Sequence, residues 1–342
     1  MMHDAILNLP QAMHLLLPEL REIELPREVR SNCSDCVMTP PDGTAGPLPS
    51  GFFHPEGRCC TYHPTLPNYL AGRIIREGGR SARLVKERMA QGGRVSEQGI
   101  RIAKDRDEVY NKKATELFGR ELSFRCPYWV GGDYACGIWI NREAVCRTWH
   151  CRHEQGPRGM AVWKAIRELL FWSQNQLRSH CVRRGNGPPP TATVNEMSAW
   201  YKWCANEIDM VEPDELATMR DETLARLLVE LFAAIDAHEQ PMAARLGPAV
   251  RSFSRQDSYI EFNGYSPYDM VRAPVTAFAL LSQLDGTKPW DEVLHKVNTE
   301  LTEPIAEEVV HELYRVGALE ERSGEESFKP GMSVSISVNG VV

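Results

Sequence analysis

Residues 126–151 read CPYWVGGDYACGIWINREAVCRTWHC and carry four of the chain's ten cysteines: Cys126, Cys136, Cys146 and Cys151. Gly131-Gly132-Asp133 marks a turn. Cys136-Gly-Ile-Trp-Ile140 predicts a short strand after it. The regular spacing of the cysteines suits loops folded around a centre. Upstream lie Cys33 and Cys36, whose two-residue gap lets both reach one metal, and the adjacent pair Cys59-Cys60. Thiolates are soft ligands suited to zinc and iron–sulfur clusters. These eight are therefore the expected metal ligands, with either or both of Cys59 and Cys60 taking part. Buried, unliganded thiols are the plainer alternative. Cys181 and Cys204 sit on helical patterns apart from the other cysteines and read as core residues.

Composition bounds the rest. The 342 residues predict two or three domains, and 25% charged residues is an ordinary value for a globular protein. No apolar run approaches the roughly 18–20 residues needed to cross a bilayer. The N-terminus carries no basic-then-apolar signal, so the expectation is a cytoplasmic protein with no membrane partner. A reducing compartment disfavours disulfides and leaves the cysteines free for metal. Residues 256–342 hold 15 acidic and 6 basic residues, whereas residues 72–120 hold 13 basic and 7 acidic. The basic stretch could attract an acidic partner, or it is a solvated helix face.

The pattern along the chain predicts a mainly α fold with small β elements (α+β). Its expected parts are a cysteine-rich metal-binding domain over 1–160, a helical segment over 161–255 and a winged-helix-like domain over 256–342. Leu15, Leu16, Leu17 and Leu20 could dock an N-terminal arm onto the core. Helices are expected after residue 67, over 105–117, from residue 157 to just before Gly185, over 194–208 and over 213–238. Beyond residue 258 a strand over 259–262 precedes helices over 275–284, 290–297 and 305–316. Gly317 is placed as a helix C-cap. Strands over 319–321 and 333–338 would then form a wing.

The cysteine pattern resembles the YkgJ-type cysteine-cluster family, a zinc- or iron-chelating domain that includes flagellin lysine N-methylases. The matching elements are Cys33/Cys36, Cys59-Cys60, Cys126-Pro127, Cys136-Gly-Ile-Trp139 and Arg142-Glu-Ala-Val-Cys146-Arg147. The match covers roughly residues 30–155. The chain departs from the family pattern in the 22 residues between Cys36 and Cys59 and in Glu143, where the family usually has proline. The resemblance implies an iron–sulfur protein, with one or two 4Fe-4S clusters, that modifies or assists modification of a protein or peptide. Methyl transfer and redox chemistry are the concrete options. A cluster with an open iron could also bind S-adenosylmethionine, although the C-x3-C-x2-C triad, the G-x-G-x-x-G loop and the P-loop are all absent.

Arg142 and Arg147 are the candidates for binding an anionic cofactor or orienting a cluster, with a structural salt bridge as the alternative. His63, His150 and His153 could replace a thiolate or serve as hydrogen-bonding groups. Trp129, Trp139, Trp149 and Tyr134 would form an apolar shell. Residues 279–294 resemble the second-helix entry of PqqD-type winged-helix domains, which bind leader peptides. The acidic balance there argues against DNA and favours a peptide added along a strand. A zinc-stabilised binding scaffold and an electron-transfer or metal-delivery protein are the competing readings. The oligomeric state is not legible.

Overall fold

The computed structural model describes residues 4–26, 28, 33, 36–40, 47–48, 51–131, 136–250, 253–255, 257–266, 268 and 270–322. The architecture is mainly helical, with three small antiparallel sheets among these residues. The chain divides into two compact units. One comprises Met1–Leu48, Phe53–Cys151 and Ala161–Ile235; the other comprises Pro49–Phe52, Arg152–Met160 and Asp236–Val342.

In the first unit the cysteine-rich and helical segments share one core. Its centre is the contact between helices Asn68–Glu77 and Val194–Met210. Gly72 makes that contact close: a Cβ built there would lie 1.7 Å from the Tyr201 carbonyl oxygen. One turn on, Arg76 donates to Asp209 at 2.5 Å and to Asn206 at 2.7 Å. Residues 72 and 76 thus face 201, 205 and 209, so the two helices meet along their i, i+4 rows. The second helix starts at a capping box, in which Thr193 and Glu196 satisfy each other's backbone N–H. Gly78, at φ +77°, ends the Asn68–Glu77 helix and lets a new one run over Gly79–Ala90.

A three-stranded sheet of Leu66–Pro67, Gly99–Arg101 and Arg94–Ser96 flanks this core. Its strands are too short and too polar to be read from periodicity. Tertiary bonds hold its turn: Tyr201 donates to Ser96 O at 2.8 Å, and Trp200 and Asn68 donate to Glu97 O at 2.8 and 3.0 Å. The long helix Gly156–Arg184 supplies Val162, Trp163, Ile166, Leu169, Leu170 and Leu177 to the core. At the N-terminus Leu16, Leu17 and Leu20 are buried as expected, while Leu15 points outward. They lie in or beside short helices at Gln11–Leu16 and Glu19–Glu22.

Two expected helices prove to be broken. The 105–117 pattern divides into Lys104–Lys112 and Ala114–Leu117, and none of its side chains is buried to hold a longer run straight. The 213–238 pattern divides into Pro213–Thr218 and Glu222–Glu239. Asp221 accepts from Leu224 N at 3.0 Å and starts the second helix, while Arg220 donates to Leu16 O at 2.8 Å.

The second unit contains a three-stranded sheet of Ser254–Arg255, Tyr259–Asn263 and Met270–Pro274. Only the middle strand is legible in the sequence pattern. Helices Ala277–Leu281, Trp290–Glu300 and Glu307–Arg315 follow, all packed in one core with Ile260 and Phe262. Gly317, at φ +72°, closes the last helix as expected. Ala318 N donates to Leu313 O and Gly317 N to Tyr314 O, the Schellman pattern. Leu319–Glu321 is a strand, but it pairs with Leu246–Pro248. The wing strand expected at 333–338 lies outside the described residues. Among the described residues no helix is long and apolar enough to cross a membrane.

Candidate metal centre

Three separate stretches bring the eight cysteines together, and backbone hydrogen bonds position most of them. Residues 54–62 form successive turns in which Arg58 N donates to His54 O and Cys60 N to Gly57 O. Cys126 N then donates to Cys60 O at 2.7 Å, joining the second stretch to the third. Trp129 N donates to Cys126 O at 3.0 Å, and Trp129 pairs with Cys136 as an isolated antiparallel bridge. The strand expected at 136–140 is limited to that bridge. Trp139–Asn141 is a 3-10 turn instead, because Arg147 draws in the carbonyls of Ile140 (2.5 Å) and Arg142 (3.3 Å), and Asn141 donates to Glu77 at 3.0 Å.

The eight thiols form one electrostatic network that contains two fully connected groups of four. Within Cys33, Cys36, Cys59 and Cys151, every pair interacts. Within Cys60, Cys126, Cys136 and Cys146, every pair likewise interacts. The adjacent Cys59 and Cys60 are hydrogen-bonded to each other and belong to different groups, and the groups are linked further by Cys59 acting on Cys126 and Cys136 and by Cys33 acting on Cys136. All eight residues are half-buried. Burial raises the pKa of Cys33, Cys136 and Cys146 and pushes Cys126 up to about 12. For Cys146 the Glu143 carboxylate adds to the effect. A hydrogen bond to Cys60, then burial, raises Cys59. Cys60 is also raised, because burial and the surrounding sulfurs outweigh the hydrogen bond from Cys59. In the pair Cys36–Cys151, the shared hydrogen bond lowers Cys36 and raises Cys151.

Glu143 has a local structural role. It is the N-cap of helix Ala144–Thr148, where a proline has no side-chain acceptor to offer. Its carboxylate accepts from Val145 N at 2.8 Å and Cys146 N at 2.9 Å. Glu143 thereby fixes the backbone of a cysteine in the second set. Glu143→Ala is expected to cost about 1–2 kcal/mol in urea unfolding and to speed the reaction of Cys146 with a thiol reagent.

The two candidate arginines differ in role. Arg147 is buried, its guanidinium is committed to backbone carbonyls, and burial lowers it to about 10. It shapes the loop. Arg142 lies over the Trp139 ring at 3.5 Å and is a positive charge acting on Cys33, Cys59 and Cys136. Arg58, which no sequence motif singles out, acts in the same way on Cys33 and Cys36. Its signal in the sequence was only its place directly before Cys59.

The three histidines have partners of their own. A ring nitrogen of His63 bonds Phe124 O at 2.9 Å. His150 lies against Trp163 with ring centroids 4.4 Å apart. In the second unit, the ring of His153 bonds the Tyr265 hydroxyl at 3.2 Å. Trp149 packs edge-on to Phe118, and Trp129 lies beside Arg58. Trp139 is 42% exposed and covers Arg142, while Tyr134 lies outside the described residues. Cys181 and Cys204 are core residues as expected, but they are not isolated: the Cys181 thiol donates to Cys204 O at 3.7 Å.

Among the described residues, no three His, Cys, Asp or Glu side chains form a group that could hold a metal ion as it stands. The donor chemistry nevertheless fits a sulfur-ligated group. The eight thiols gather with positive charge from Arg58 and Arg142 beside them, and most are kept protonated by burial and by one another. A metal would displace those protons, so its binding would weaken in acid. Comparison with known protein families, characterised proteins and solved structures finds no match for this chain.

Proposed function

We propose that this chain is an iron–sulfur protein that modifies, or assists modification of, a protein or peptide, and that its eight thiols serve as two sets of four. The observation that supports this most is that the network of eight thiols contains two groups of four whose members all interact, joined through Cys59, Cys60, Cys33 and Cys136. Four thiolates are what a 4Fe-4S cluster takes. On this reading Cys33, Cys36, Cys59 and Cys151 hold one cluster, and Cys60, Cys126, Cys136 and Cys146 hold the other. Bound clusters would supply one-electron chemistry. The chain's own part is to set the ligands: Glu143 holds the Cys146 backbone, Arg147 fixes the 140–142 loop, and Arg142 offsets negative charge.

The second unit would recognise the substrate. The acidic surplus over residues 256–342 suits a basic peptide better than nucleic acid. Methyl transfer to lysine, with S-adenosylmethionine as donor, is the concrete reaction suggested by the resemblance to lysine N-methylases.

The test is anaerobic purification followed by iron, zinc and acid-labile sulfide analysis with a visible spectrum. About eight iron with matching sulfide per chain is the expected result. One or two zinc without sulfide would overturn the reading and leave a zinc-stabilised scaffold.

A further inference from the structure

Arg58 combines three unusual features. It is the one non-glycine residue with positive φ among the described residues, at +50°. That conformation costs an L-residue on the order of 1–2 kcal/mol, so the surroundings must hold it there. Its Nε and Nη1 atoms are buried and have no hydrogen-bond partner among the described residues. Its guanidinium carbon lies 5.7 Å from the centre of the Trp129 ring, a contact that supplies no hydrogen-bond acceptor for those N–H groups. A buried cationic donor left in this state is costly, which points to a missing anionic acceptor. The neighbours that feel its charge are Cys33 and Cys36, and the next residue in the chain is Cys59. All three belong to the same four-thiol set.

We propose that Arg58 is the internal counter-charge of the metal–sulfur group held by Cys33, Cys36, Cys59 and Cys151, with its free N–H groups donating to that group's sulfur. The assignment rests on the iron–sulfur reading above. Positive charge and hydrogen bonds to sulfur favour the reduced, more negative state of a cluster and raise its reduction potential. Arg58 is therefore a positioning and tuning residue for one cluster. Arg142 acts on members of both sets, Cys33 and Cys59 here and Cys136 in the other, and Arg88 acts on Cys126 of the other.

The test is redox titration of the anaerobically purified full-length chain and of Arg58→Gln and Arg58→Lys, with iron and sulfide measured on each. The expected result is a shift of one of two cluster potentials to a more negative value in Arg58→Gln. The other potential should stay unchanged, and Arg58→Lys should restore much of the shift because it keeps the charge. A purely structural arginine would lower stability in both variants and move neither potential; that outcome overturns the proposal. Should Arg58→Gln fail to fold, an Arg58→Lys potential displaced slightly downward supports the proposal, and one identical to wild type overturns it. A wild-type chain free of iron and sulfide overturns the iron–sulfur reading and this role together, whereas an iron-loaded chain with unmoved potentials removes only the role of Arg58.

Discussion

Cys60→Ser is expected to remove about half of the iron and sulfide bound per chain, and Cys59→Ser the other half. The two residues are adjacent, so a shared centre would lose all of its metal with either change. The proposed sets place them apart: Cys59 interacts with all of Cys33, Cys36 and Cys151, and Cys60 with all of Cys126, Cys136 and Cys146, with Cys59 also acting on Cys126 and Cys136. A serine oxygen is a harder and weaker ligand for iron than a thiolate. A cluster that loses one of four ligands is labile, while the neighbouring set keeps all four. Iron and sulfide analysis of the two single variants and of the double variant is the measurement. Half, half and none would establish two centres. Equal and complete loss in both single variants would establish one.

Gly72→Ala is expected to be among the most destabilising single changes in the first unit. Helix propensity alone predicts the opposite sign, since alanine is better than glycine in a helix by about 1 kcal/mol. Packing decides the outcome. The new methyl group would sit 1.7 Å from the Tyr201 carbonyl oxygen and 3.0 Å from the Ala205 Cβ. The first obstacle is helix backbone, which cannot rotate aside as a side chain can. The helices would have to separate, loosening the Arg76–Asp209 pair and the core beneath it. The expected cost is roughly 3 kcal/mol or more, a fall in Tm of about 6–12 °C for a unit of this size. Thermal and urea unfolding would measure it. A Tm equal to or above wild type would mean that the two helices do not meet at residue 72.

The sequence by itself determined the eight clustered cysteines, the mainly α character with small β elements, and most of the longer helices. These are local properties. Cysteine spacing is read directly, the apolar period of 162, 166, 169 and 170 reports a buried helix face, and Gly317 marks a C-cap because few other residues adopt its conformation. Tertiary structure decided the rest. The small sheet at 66–67, 94–96 and 99–101 depends on Tyr201, Trp200 and Asn68, two of them about a hundred residues away from the turn they hold. The breaks at Lys113 and Met219–Asp221 come from what the flanking residues find to pack or bond against. The 3-10 turn in place of a strand at 139–141 follows from the grip of Arg147 on the loop carbonyls. Neighbouring positions in the chain also give no indication of which distant thiols Cys59 and Cys60 each interact with, or that Arg58 lacks an acceptor. Both are relations through space, set by where distant segments come to rest, and a linear pattern carries only the residue types that make them possible.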